Sequence, residues 1–176
     1  MERVARFELV THDRFVADLT DAFPSVSAKE ADSIYNELKL PRRATAGSAG
    51  YDFFSPVAVT LKPGETVKIP TGIRASMKQD WVLCLYPRSG LGFKYRLQLN
   101  NTVGIIDSDY YGSDNEGHIF IKITNDSNEG KTVEIPQFTG FAQGIFMPYG
   151  ITEDDDVTDI RNGGFGSTTG KQKQSI

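Results

Sequence analysis

The 176 residues contain a single cysteine, Cys84. It lies in an apolar, strand-like run, which excludes the disulfide framework of small secreted domains. No stretch approaches the roughly eighteen consecutive apolar residues of a membrane-spanning helix. The amino-terminal residues Met1–Arg6 carry charge and lack the apolar segment of a secretory leader, so the cytoplasm is the expected compartment. Positive charge is also in deficit, with 19 Lys and Arg against 23 Asp and Glu, a formal net charge of -4 and a pI near 5.2. A nucleic-acid surface needs a basic stripe, so the cations here must serve locally, for instance in a pocket for a small polyanion.

What is present suits one domain with a full core, 39% of its residues being apolar. Residues Val4–Val10 read as a short strand, followed by a polar segment that includes His12. Ser27 to Glu30 fits a capping box, and Ala28, Ala31, Ile34, Tyr35 and Leu38 recur at helical spacing before Pro41. One short amphipathic helix is predicted there, its apolar face packing on the domain or on a sister subunit.

From Gly47 onward the pattern changes to short β-prone runs. These are Val57–Leu61, Thr66–Ile69, Trp81–Leu85, Arg96–Leu99, Ile119–Ile123, Thr132–Ile135 and Ala142–Met147. Turn chemistry separates them at Lys62–Glu65, Pro70–Gly72 and Asn125–Gly130. Many short strands at this spacing predict an all-β sandwich or a distorted jelly-roll barrel, not a parallel α/β sheet. The acidic run Glu153–Asp156 reads as a solvated loop. Gly163–Ile176 has little to bury and is expected to form a mobile arm. The division expected is an extension over 1–39, a β domain over 40–160 and an arm over 161–176.

The segment Asn100–Gly112 is the richest in candidate chemistry. Val103, Ile105 and Ile106 are β-branched and lie among Asn, Gly, Asp and Tyr, which predicts a β-hairpin presenting Asp107 and Tyr110. Backbone groups at such a hairpin can serve a small planar ligand, and Asp107 is placed to hold a water for attack. Alone, Ile-Ile-Asp-Ser-Asp is more often a strand running into an Asx turn.

Four other short motifs surround it in order: Ala49–Phe53, Pro87–Gly92, Phe141–Gln143 and Gly163–Thr168. Together the five closely resemble the ordered motif set of the homotrimeric dUTP pyrophosphatases, from about Leu40 to Gly170. The wording around Asp109–His118 resembles the branch found in Gram-positive bacteria and their phages. The resemblance implies a jelly-roll homotrimer whose sites each draw on more than one subunit, and hydrolysis of dUTP to dUMP and pyrophosphate with Mg²⁺.

Carried over residue by residue, the resemblance makes Asp107 the carboxylate that activates water. Asn101 reads the uracil edge together with backbone groups of Gly104 and Ile106, an amide offering both donor and acceptor. Tyr110 packs under the deoxyribose and excludes a 2′-hydroxyl. Arg88, Ser89, Gly90 and Gln143 contact phosphate, and Asp52 reaches the triphosphate-bound Mg²⁺ through water. Arg161, Phe165, Gly166, Ser167 and Thr168 belong to an arm that closes over the nucleotide.

The match also has departures. Gly140-Phe141 stands where relatives carry an Arg or similar residue, and Arg161 lies one position closer to the aromatic. Gln143 to Arg161 is a shortened span, which leaves open whose site the arm closes. Met1–Asn36 and Ser113–His118 fall outside the minimal enzyme, and His118 reads as a solvated loop residue. Two other readings compete: a dCTP deaminase relative, although Gly90 follows Arg88-Ser89 where a second serine would be expected, and a regulatory module whose nucleotide-bound state engages a protein partner.

Overall fold

The computed structural model describes residues 1–159 and 161. Its strands, in chain order, are β1 (Ala5–Leu9), β2 (Arg42–Arg43), β3 (Tyr51–Phe54), β4 (Val59–Leu61), β5 (Thr66–Pro70) and β6 (Ile73–Met77). There follow β7 (Trp81–Pro87), β8 (Leu97–Leu99), β9 (Gly104–Ile106), β10 (Phe120–Asn125), β11 (Val133–Ile135) and β12 (Gly140–Pro148).

Among the described residues all the pairings are antiparallel. The ladders are β1–β6, β5–β10–β8, β4–β11 and the five-stranded β2–β3–β12–β7–β9. They do not join into one closed barrel, so the β-rich jelly-roll expected from the sequence is an open one. β4, β8, β9 and β11 each alternate buried, exposed, buried. That period sends Val59, Leu61, Leu97, Leu99, Ile106, Val133 and Ile135 into a core shared with Phe53, Leu83, Leu85, Ile121, Ile123 and Phe141. Each such side chain contributes roughly 1.5–3 kcal/mol relative to remaining in water.

The hairpin expected over Asn100–Gly112 is corrected, since that span holds one strand, β9, and a 3₁₀ turn, Ser108–Gly112. Among the described residues β8 pairs only with β10, and β9 only with β7, so the two strands lie at the edges of different sheets. Between them the chain turns through residues 100–103, with Thr102 N donating to Leu99 O at 2.9 Å and Thr102 at φ 64°. Two edge strands therefore follow one another in sequence without zipping together.

The helical content is also corrected. The polar segment after β1 is a helix, α1 (His12–Ala22), capped by the Thr11 side chain and burying Phe15 and Leu19 four residues apart. The predicted helix is present as α2 (Ala28–Glu37), with the Ser27/Glu30 capping box formed and Ala31 buried. Its Tyr35 hydroxyl donates to Val10 O at 2.8 Å, and α1 and α2 pack on each other, so its apolar face is used within the chain. A third helix, α3 (Ser89–Tyr95), starts inside the glycine-rich second motif. No described helix is long and apolar enough to cross a membrane.

His118 is not solvated. It is fully buried, with Nδ1 2.6 Å from Asp18 Oδ2 on α1 and Nε2 accepting from Gly72 N at 2.7 Å. The two stretches outside the minimal enzyme, residues 1–36 and 113–118, are thus packed on each other.

Candidate active site

The separation of β8 and β9 creates a cavity of about 490 Å³, lined by Leu99, Asn100, Asn101, Gly104 and Leu85 and, from farther along the chain, by Asn115, Phe120 and Lys122. Among the described residues each strand has one edge without a ladder partner, which leaves backbone N–H and C=O groups for a planar, hydrogen-bonding ligand. Asn101 and Gly104 both line this cavity. The Ile106 side chain is buried in the core, so only its backbone can serve a ligand.

Asp107 follows β9 and begins a 3₁₀ turn, Ser108–Gly112. Its side chain makes no capping bond to that turn, which removes the ordinary structural use of an aspartate at this position. Its carboxylate is 49% exposed and pairs with Arg161, Nη2 to Oδ2 at 2.5 Å, while Arg161 Nε holds Asp109 Oδ1 at 2.9 Å. The same guanidinium lies 5.8 Å from the centre of the Tyr110 ring. Tyr110 is buried, its hydroxyl donating to His118 O at 2.8 Å and accepting from Asn115 Nδ2 at 2.8 Å. Burial raises the Tyr110 phenol above its ordinary pKa, against the opposing pull of Asn115 and Arg161.

A second group forms on the five-stranded sheet. Gln143 on β12 is the cross-strand partner of Asp52 on β3 and of Tyr86 on β7, which brings the first, second and fourth motifs side by side. Arg88 Nε lies 3.1 Å from Asp52 Oδ1, Arg88 Nη1 donates to Gly140 O at 3.1 Å, and Gln143 Nε2 donates to Pro87 O at 3.1 Å. A cavity of about 690 Å³ is lined by Asp52, Arg88, Ser89, Gly90, Gly140 and Gln143 among others.

Gly140 explains the departure in the fourth motif. A Cβ there would stand 2.8 Å from Arg88 Nη1, so the missing side chain is the space that the guanidinium fills.

The candidates thus fall into two sets. Asn101 and Gly104 line the first cavity and Asp107, Tyr110 and Arg161 gather at the 3₁₀ turn after β9, while Asp52, Arg88, Ser89, Gly90 and Gln143 line the second cavity. The two cavities share no lining residue. Phe165, Gly166, Ser167 and Thr168 lie outside the described residues. Sequence reasoning missed Asn115, Phe120 and Lys122 in the first cavity, since no local pattern ties them to Asn101. It also missed Asp109, although its spacing from Asp107 in Asp-Ser-Asp was visible.

Comparison with known proteins follows the same outline. The dUTPase family model matches residues 36–169. The deoxyuridine 5′-triphosphate nucleotidohydrolase of Lactococcus lactis subsp. lactis is 42% identical over 134 residues, covering 74% of this chain and 88% of the relative. The crystal structure of dUTPase from Streptococcus mutans is similar with a TM-score of 0.61 and 36% identity, covering 84% of this chain and 98% of that one. A mutant dUTPase from phage phi11 of S. aureus, whose structure shows coordination of a structural Mg(II) ion, shares the fold at a TM-score of 0.61 and 22% identity, over 89% of this chain and 98% of that one.

Proposed function

The chain belongs to the dUTPase family, and from that premise we propose that it hydrolyses dUTP to dUMP and pyrophosphate with Asp107 as the water-activating carboxylate. The observation that carries this reading is one turn of chain. In it, an exposed carboxylate with no capping duty directly follows a strand whose unpaired edge lines a cavity.

Uracil enters between β8 and β9, where backbone groups of Gly104 and Ile106 and the Asn101 amide match its alternating carbonyls and N–H. A Cβ on Gly104 would lie only 3.0 Å from Leu85 Cβ, so glycine here lets the backbone itself line the cavity. Asp107 orients a water toward the α-phosphorus and takes its proton as the new P–O bond forms, and pyrophosphate leaves with the electrons of the broken P–O bond. Arg88, with Ser89 and Gln143, balances the charge that grows on the phosphate oxygens.

Magnesium fits the phosphate half of this site. Among the described residues no cluster of three or more His, Cys, Asp or Glu could hold a metal, whereas Asp52 lines the cavity beside Ser89 and Gln143. Asp52 would hold Mg²⁺ through water, since this ion keeps part of its hydration shell and takes the rest of its oxygens from phosphate. When bound, the ion supplies positive charge to the triphosphate.

The separation of the two sets of residues favours completion of each site by another copy of the chain, in a cyclic homotrimer. The substrate test is pyrophosphate release from dUTP with Mg²⁺, beside dTTP, dCTP and UTP and with Asp107→Asn as the control. Release from dUTP alone, lost in the variant, supports the reading. Ammonia from dCTP would assign the chain to the deaminases, and tight dUTP binding without turnover of any nucleotide would favour a regulatory module.

A further inference from the structure

The family match begins at residue 36, so α1 and most of α2 lie outside it. These helices are nevertheless tied to the turn that follows Asp107, through the Ser113–His118 segment. Thr11, the cap of α1, donates to Glu116 through its backbone N at 2.8 Å and its hydroxyl at 2.7 Å. Farther along the same helix, Asp18 holds His118 Nδ1 at 2.6 Å. Gly72 N can only donate, and it donates to Nε2, so the ring carries its proton on Nδ1 and points it at Asp18. The imidazole is thereby fixed at both nitrogens.

The segment so held is pressed against the 3₁₀ turn. Gly117 has φ +71°, and a Cβ there would stand 2.7 Å from Tyr111 Cα and 2.8 Å from Tyr110 O. His118 O and Asn115 Nδ2 both bond the Tyr110 hydroxyl at 2.8 Å. Arg74 secures the other side, donating from Nη2 to Tyr111 O at 3.0 Å with its guanidinium 3.5 Å from the centre of that ring.

We propose that the amino-terminal helices are a brace for Tyr110, with Asp18, His118 and Glu116 as positioning residues that set discrimination between deoxyribose and ribose. This rests on the reading of Tyr110 as the floor beneath the sugar. A ring that excludes one hydroxyl group works only if it cannot retreat. Two hydrogen bonds that hold the Tyr110 hydroxyl come from residues 113–118, which α1 fixes in turn through Glu116 and His118.

The test measures kcat/KM for dUTP and for UTP in Asp18→Ala, Asp18→Asn, Glu116→Ala and Tyr110→Ala variants of the full-length chain. Asp18→Ala and Glu116→Ala are expected to lower the dUTP-to-UTP ratio by about tenfold, the scale of a small misplacement of a binding group. Asp18→Asn, which still offers an acceptor to His118 Nδ1–H, is expected to keep most of the ratio. A purely structural role would move Asp18→Asn with Asp18→Ala and leave the ratio of the folded fraction unchanged. If Asp18→Ala fails to fold, Glu116→Ala, whose tie to Thr11 lies at the surface, decides alone. A collapsed ratio in Tyr110→Ala beside unchanged ratios in Asp18→Ala and Glu116→Ala overturns the brace. An unchanged ratio in Tyr110→Ala overturns the reading of Tyr110, and the brace with it.

Discussion

The guanidinium of Arg161 is hydrogen-bonded to the carboxylate of Asp107, Nη2 to Oδ2 at 2.5 Å, across 54 residues of sequence. The cation thereby occupies an oxygen of the group proposed to orient water. Arg161 also holds Asp109 and lies over the Tyr110 ring, so one side chain touches the residues proposed to serve the attacking water and the sugar. On the proposed reading, substrate displaces it, and the triphosphate offers a stronger anion to receive it.

Arg161→Ala should lower kcat/KM for dUTP by about 10- to 100-fold, the value of a charge-assisted hydrogen bond of roughly 1.5–3 kcal/mol. Arg161→Lys should restore little, because an ammonium lacks the fork that spans two carboxylates here and two phosphate oxygens in the complex. Steady-state kinetics with both variants checks this, and wild-type behaviour of the lysine variant would count against it.

Gly140→Ala should push the Arg88 guanidinium from its position, since the added Cβ falls 2.8 Å from Nη1. The phosphate half would lose its principal cation while the nucleoside half stayed intact. The expected result is a rise of about tenfold in KM for dUTP with little change in the affinity for deoxyuridine itself. Isothermal titration with the nucleoside and kinetics with the triphosphate separate the two effects.

The joint between α1 and residues 113–118 should depend on acid. Burial pushes the Asp18 carboxyl up, but hydrogen bonds from His118 and Arg14 more than reverse this and leave its pKa below the ordinary value. Glu116 is shifted in the same direction, burial again opposing and Thr11, Arg74 and Arg14 prevailing. A carboxyl with a depressed folded-state pKa stabilises fully above its unfolded value of about 4, and this stabilisation is lost as pH falls through that value toward the folded one. Thermal unfolding should therefore shift downward from about pH 4 toward pH 3. The shift should be smaller in Asp18→Asn, which no longer titrates there, and an equal shift in both proteins would refute the assignment.

The strands were legible in the sequence because their apolar residues alternate and their turns carry Gly, Pro and Asn. The capping box at Ser27 and Glu30 was legible because its parts lie three residues apart. By contrast, α1 was hidden by its composition, since Phe15, Val16 and Leu19 are almost the only large apolar residues in a stretch dense in charge. What makes it a helix against the β domain is burial of Phe15 and Leu19, a tertiary effect. The hairpin was misread for a related reason. Asn100–Gly112 has the composition of two strands about a turn, but its one strand, β9, takes β7 as partner and the rest of its second half is a 3₁₀ turn.

The candidate residues could be named from the motifs, yet their division into two sets could not. Asp107 and Arg88 are both polar positions near turns, and nothing local states that one borders β9 and the other faces Gly140 across the large sheet. His118 had no visible role because its partner, Asp18, lies 100 residues away.

If the two sets meet only between copies of the chain, two inactive variants should complement each other when mixed. Asp107→Asn removes the water-activating group and Arg88→Ala removes the phosphate cation, so each variant alone should be nearly inactive. Co-assembled from equal amounts, they should recover about a quarter of wild-type pyrophosphate release, because one in four pairings joins an intact Asp107 half to an intact Arg88 half from another copy. No recovery in a mixture shown to contain both chains in one assembly would instead place the whole site within a single chain.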